Sequence, residues 1–70
     1  MHTSSDNSTR ILRLQNVKSR TGLSRSTIYA LIKETRFPKN ISLGARSVGW
    51  LESEIEAWIK DRVNDSRNKQ

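Results

Sequence analysis

Three features of the sequence predict a mainly α-helical domain with one small β-hairpin. The first is an abrupt stop and restart in "TGLSRSTIYALIK", Thr21 to Lys33, where a glycine is followed two residues later by a serine. The second is a change of apolar period from helical spacing to alternation between Lys39 and Trp50. The third is a return to helical spacing in "ESEIEAWIKDRV", Glu52 to Val63.

Each element follows in order. Met1 to Thr9 is polar and rich in Ser, Thr and Asn, so it reads as a flexible tail. Ile11 to Leu14 is a short apolar lead-in, and Gln15 to Arg20 a first helix with Val17 inward. Gly22 sits where a helix end wants positive φ, and Ser24 offers an N-cap to a second helix. On that helix Ile28, Leu31 and Ile32 form one apolar stripe at i, i+3, i+4, which Thr35 continues weakly. Phe37-Pro38 ends it, because the residue before proline avoids the α region. Ile41 and Leu43, then Val48 and Trp50, alternate on either side of the turn Gly44-Ala45-Arg46-Ser47, which is a hairpin pattern. Ser53 and Glu56 match a capping box for a third helix. Glu52, Glu54 and Glu56 suit the positive end of its dipole, and Ile55, Trp58, Ile59 and Val63 face inward. Both tryptophans are assigned to the core by these periods. Asn64 to Gln70 reads as a second flexible tail, so the domain spans residues 10–63. Two helices joined by a tight glycine-containing turn, with Leu23 plugging the corner, form a helix-turn-helix. The hairpin beside it makes the fold a winged helix-turn-helix.

Composition narrows what such a domain can do. Seventy residues make one domain, and a chain this short buries only about 60% of its unfolded surface. There is no cysteine and one histidine, His2, so disulfides and a structural zinc site are not expected, and no cofactor or metal is implied. No apolar stretch approaches the roughly 20 residues of a membrane span, and no signal sequence is seen, so a cytoplasmic location is expected. The net charge is +6, and it is unevenly placed. Arg10 to Leu51 holds nine Lys or Arg and one acid, Glu34, whereas Glu52 to Asp65 holds five acids and two bases. One end of the domain is built to face an anionic partner.

The second helix carries the candidate contacts. At about 100° per residue, Ser26, Ala30 and Lys33 point away from the Ile28 stripe, Thr27 and Tyr29 lie on its flanks, and Arg25 falls nearer the buried side, so its head must reach out or contact phosphate from the rim. In helix-turn-helix proteins the N-terminal residues of this helix meet base edges in the major groove. Ser24, Ser26 and Thr27 offer hydroxyls, and Arg25 can grip guanine or a phosphate. Lys39, Asn40, Arg46 and Ser47 on the hairpin would act as a wing on the backbone. Arg13, Lys18 and Arg20 are further candidate phosphate contacts. Glu52 and Glu56, at i, i+4, are read as dipole compensation rather than a catalytic pair, and no nucleophile or base accompanies them, so an enzyme is not expected.

The linked motifs "TGLSRSTIY", "FPK", "LG-R-VGW" and "ESEIEAW" run in order between Arg13 and Val63. Together they closely resemble the AlpA family of prophage-type regulators. The resemblance implies a winged helix-turn-helix related to MerR-type and excisionase DNA-binding domains. It implies a transcriptional regulator of a mobile element, with double-stranded DNA as partner and links to integrase expression and excision. It assigns recognition to Arg25, Ser26, Thr27 and Tyr29, and the wing to Lys39, Arg46 and Ser47. Thr35 stands where the family commonly has glycine. RNA polymerase or an integrase are further candidate partners, and either a monomer or a weak dimer on DNA is compatible with the chain. Two rival readings are an excisionase-like factor that bends DNA and a basic adaptor for RNA or an acidic protein.

Overall fold

The computed structural model describes residues 10–68, and the polar segment Met1 to Thr9 lies outside them. The order is β1 (Ile11–Leu12), α1 (Leu14–Thr21), α2 (Arg25–Lys33), β2 (Ile41–Gly44), β3 (Ser47–Leu51) and α3 (Glu52–Asn68). This is the winged helix-turn-helix, with one addition to the expected hairpin. The lead-in at Ile11 is itself a strand, and the sheet has three strands in the order β1-β3-β2. Both pairings are antiparallel, with Leu12 opposite Trp50 and Ile41 opposite Gly49. Leu43 is an extra residue in β2, since Ser42 pairs with Val48 but Gly44 with Ser47.

The corner between α1 and α2 forms as its residues require. Gly22 adopts φ 75° and donates its N–H to the Lys18 carbonyl. Thr21 Oγ1 donates to the Val17 carbonyl at 2.8 Å and accepts the Leu23 N–H at 3.2 Å. Leu23 packs on the core from this corner.

The far end of α2 differs from expectation. The helix stops at Lys33, before Phe37-Pro38 is reached. Thr35 takes φ 58°, its N–H bonds Ile32 O at 2.9 Å, and Arg36 N–H bonds Leu31 O at 2.9 Å. That pair of bonds is a Schellman motif with threonine at the left-handed position. Phe37 then turns inward as a core residue rather than only a terminator. Both tryptophans hold this stretch by their indole N–H groups: Trp50 Nε1 bonds Pro38 O at 3.0 Å and Trp58 Nε1 bonds Arg36 O at 2.8 Å. Phe37 meets Trp58 edge-on, with ring centroids 4.8 Å apart.

Leu12, Val17, Ile28, Phe37, Trp50 and Ile55 form the buried core. Trp58 packs against it but stays half-exposed. Ile41 and Leu43, the apolar positions that alternate along β2, are exposed. The cause is register: Ile41 pairs with Gly49 and so shares the face opposite Trp50.

The third helix starts directly after β3, at Glu52, so Ser53 lies within its first turn rather than at its cap. It runs to Asn68, past the boundary placed at Val63, with residues 61–68 all exposed. No helix among the described residues is long and apolar enough to cross a membrane.

Candidate nucleic-acid interface

The start of α2 is a cluster of hydroxyls fixed by the helix cap. Ser24 Oγ accepts the Thr27 N–H at 3.2 Å and donates to Thr27 Oγ1 at 3.0 Å. Ser26 Oγ lies 3.4 Å from Ser24 Oγ. All three residues are exposed, so the cap leaves their remaining lone pairs and protons open to a ligand.

Although Arg25 falls nearer the buried side of the helix wheel, its head reaches outward. It is exposed, and its guanidinium sits 5.5 Å from the Tyr29 ring centroid. A cation over an aromatic face is attracted by about 0.5–1 kcal/mol at such sites, enough to bias the side chain toward one direction. Tyr29 is in turn held from below: it is half-buried and meets Trp50 edge-on at 6.3 Å. Ser24, Arg25, Ser26 and Tyr29 together line a shallow surface pocket. The core residue Trp50 thus supports Tyr29, which supports Arg25. Lys33 extends the same helix as an exposed cation in its last turn.

The expected wing residues divide into two groups. Arg46 and Ser47 are at the hairpin tip, where Arg46 adopts φ 63°. Lys39 and Asn40 are at the other end of β2, where they line a groove against Glu54, Ala57, Trp58 and Asp61 of α3. The fold therefore does not bring Lys39 and Asn40 to the tip.

The cations of α1 are partly committed elsewhere. Arg20 Nη2 bonds Glu52 Oε2 at 2.5 Å and its Nη1 lies 3.4 Å from Glu56 Oε2. Glu52 is buried, so this carboxylate pair anchors α1 to α3 besides sitting at the helix start. Arg13 Nε bonds Val48 O at 3.0 Å and ties α1 to β3. Lys18 is half-buried. Sequence reasoning missed the Arg20–Glu52 contact because it joins residues 32 apart in the chain.

Residues 10–63 match the family described as Prophage CP4-57 regulatory protein (AlpA). The chain is 50% identical over 54 residues to "Uncharacterized protein ORF88" of Enterobacteria phage P4, an alignment covering 77% of this chain and 61% of that protein. It is 44% identical over 59 residues to "DNA-binding transcriptional activator AlpA" of Escherichia coli strain K12, covering 76% of this chain and 84% of that protein.

Proposed function

The chain belongs to the AlpA family of prophage regulatory proteins, and on that premise we propose that it regulates transcription by binding double-stranded DNA at specific sequences. The Escherichia coli relative carries DNA binding and transcriptional activation in its name, and the same class of activity is assigned here. The observation that carries the reading is the start of α2. There Ser24, Ser26 and Thr27 present open hydroxyls beside an Arg25 held over Tyr29. In this reading α2 enters the major groove with its N-terminal turn toward base edges. Arg25 takes the two acceptors of guanine, and the Thr27 methyl and hydroxyl offer contacts to thymine or adenine. Lys33 and Arg46 contact phosphates on either side.

Arg46 supports the wing assignment in a second way. A non-glycine residue at positive φ costs about 1–2 kcal/mol, and such strain collects at functional sites. A long cation kept at a position better suited to glycine is consistent with selection for its charge.

The regulated genes are proposed to be those of a mobile element, including integrase or excision functions, with RNA polymerase or an integrase as further partners. Competition tests the class of ligand. A labelled duplex should be displaced by unlabelled duplex DNA and not by RNA of the same sequence at equal concentration. Displacement by RNA alone would replace this reading with the adaptor.

A further inference from the structure

We propose that the solvent-facing side of the sheet, with the groove between it and α3, is a self-association surface that pairs two copies of this chain about a two-fold axis. The inference is independent of DNA binding and is tested without DNA.

An antiparallel sheet with one face on the core normally presents polar residues on the other. Here the outer face is apolar. The large exposed hydrophobic residues among those described are Ile11 (38%), Ile41 (36%), Leu43 (42%) and Val63 (40%). The first three lie on this one face. Ile11 and Ile41 take their places from their pairing with Leu51 and Gly49. Leu43 is placed there by its approach to Gly49.

Gly49 makes the patch continuous. A Cβ on Gly49 would lie 2.5 Å from Ile11 Cγ2 and 3.1 Å from Leu43 Cδ1. Side chains from the two edge strands therefore lean together over the central strand, and the glycine leaves room for them. Contiguous exposed apolar side chains of this kind suit an interaction surface.

The rim says what covers it. Ile41 and Leu51 continue into the groove against Ala57 and Trp58, with Lys39 on one side and Glu54 and Asp61 on α3. Among the described residues none of these three charges has an ion-pair partner within the chain. A uniformly basic or acidic partner would satisfy only one sign of that rim. A second copy offers both signs, and in a two-fold interface a contact of Lys39 with the acidic α3 of the other copy is made twice. Lys39 is thereby assigned to this interface rather than to phosphate. The face of one small sheet falls short of the roughly 800 Å² per partner of a standard interface, so the pairing is weak in free solution. Neighbouring sites on one DNA would raise its effective concentration.

Sedimentation equilibrium of the full chain tests this. At about 0.15 M salt the Debye length of roughly 8 Å screens long-range repulsion between cationic chains but spares contact pairs. The chain should show a monomer–dimer equilibrium as protein approaches millimolar concentration. Ile41→Glu and Leu43→Lys should each be monomeric throughout, with unchanged helical circular dichroism and thermal midpoint. Asp61→Lys and Lys39→Glu should each weaken pairing at least tenfold, and the double variant should restore it. A chain monomeric at millimolar concentration would overturn the proposal. So would a dimer indifferent to Ile41→Glu, or charge reversals that weaken pairing without mutual rescue.

Discussion

Arg20 on α1 clasps Glu52 at the start of α3, with Nη2 2.5 Å from Oε2, and the carboxylate side chain is only 7% exposed. A net of one buried charge therefore depends on one guanidinium, itself 37% exposed. This contact fixes the helix that carries the helix-turn-helix corner against the helix that closes the domain.

Removing the cation should cost stability. Breaking a buried pair from one side costs about 3–5 kcal/mol, and the partial exposure of Arg20 lowers the expectation for Arg20→Ala to about 2 kcal/mol. For a domain this small, that is a drop of roughly 8–16 °C in midpoint. Thermal or urea unfolding followed by circular dichroism measures it. Below the midpoint, DNA affinity should change little, because Arg20 serves Glu52 rather than phosphate. A large loss of affinity in fully folded Arg20→Ala would contradict that assignment.

Thr35 offers the opposite sign. It sits at φ 58°, a conformation that costs a β-branched residue about 1–2 kcal/mol. Glycine relieves this but gains freedom in the unfolded chain, an offset of about 0.4–1 kcal/mol. Thr35→Gly should raise stability by about 0.5–1 kcal/mol, visible as a shift of a few degrees. An unchanged or lower midpoint would mean that the bond from Thr35 Oγ1 to the Glu34 carbonyl offsets the strain.

Gly49 should resist substitution. An added Cβ would sit 3.0 Å from the Leu12 carbonyl as well as against Ile11. The backbone oxygen cannot swing away as a side chain can. Gly49→Ala should cost about 1–3 kcal/mol by overpacking, with the β1–β3 pairing loosened. Amide exchange at Glu52, whose N–H bonds Arg10 O at 2.8 Å across that pairing, should rise more than exchange within α2.

Arg46 and Arg25 should fail differently. Arg46→Gln should weaken binding to every duplex alike and lower the slope of log affinity against log salt by about 0.9, one phosphate's share. Arg25→Ala should cost about 1–3 kcal/mol on the preferred site and little on bulk DNA. Titration of both variants against specific and random duplexes separates the two roles. Equal losses for Arg25→Ala on all sequences would move it to the backbone.

The parts of this molecule that were legible in its sequence are those fixed by neighbours. Gly22, Ser24 and the Ile28 stripe act within a few residues, and the corner and α2 follow from them. The hairpin turn is local in the same sense. What depended on distant partners was not legible. Ile11 gave no sign that it pairs with Leu51, some 40 residues on, and a two-residue strand has no period to read. The exposure of Ile41 and Leu43 is set by register against β3, which alternation alone leaves free by one step. The sequence shows Phe37 by its effect on the chain beside proline, whereas its burial depends on Trp58 from α3. Gly49 did carry a signal, since a glycine inside a strand marks close approach. At the candidate interface, the residues of the first turns of α2 were identifiable by position, whereas the support of Arg25 by Tyr29 and Trp50 required the fold.

Selection from a library of random duplex DNA, repeated with Arg25→Ala and over a range of salt, tests the central assignment most directly. The account predicts that the chain enriches a short motif containing guanine and retains it at salt that releases bulk DNA. It predicts that Arg25→Ala loses the guanine preference while the rest of the motif persists. Enrichment of no motif, with all binding falling together as salt rises, would contradict sequence reading by α2 and leave the charge as a grip on phosphate alone.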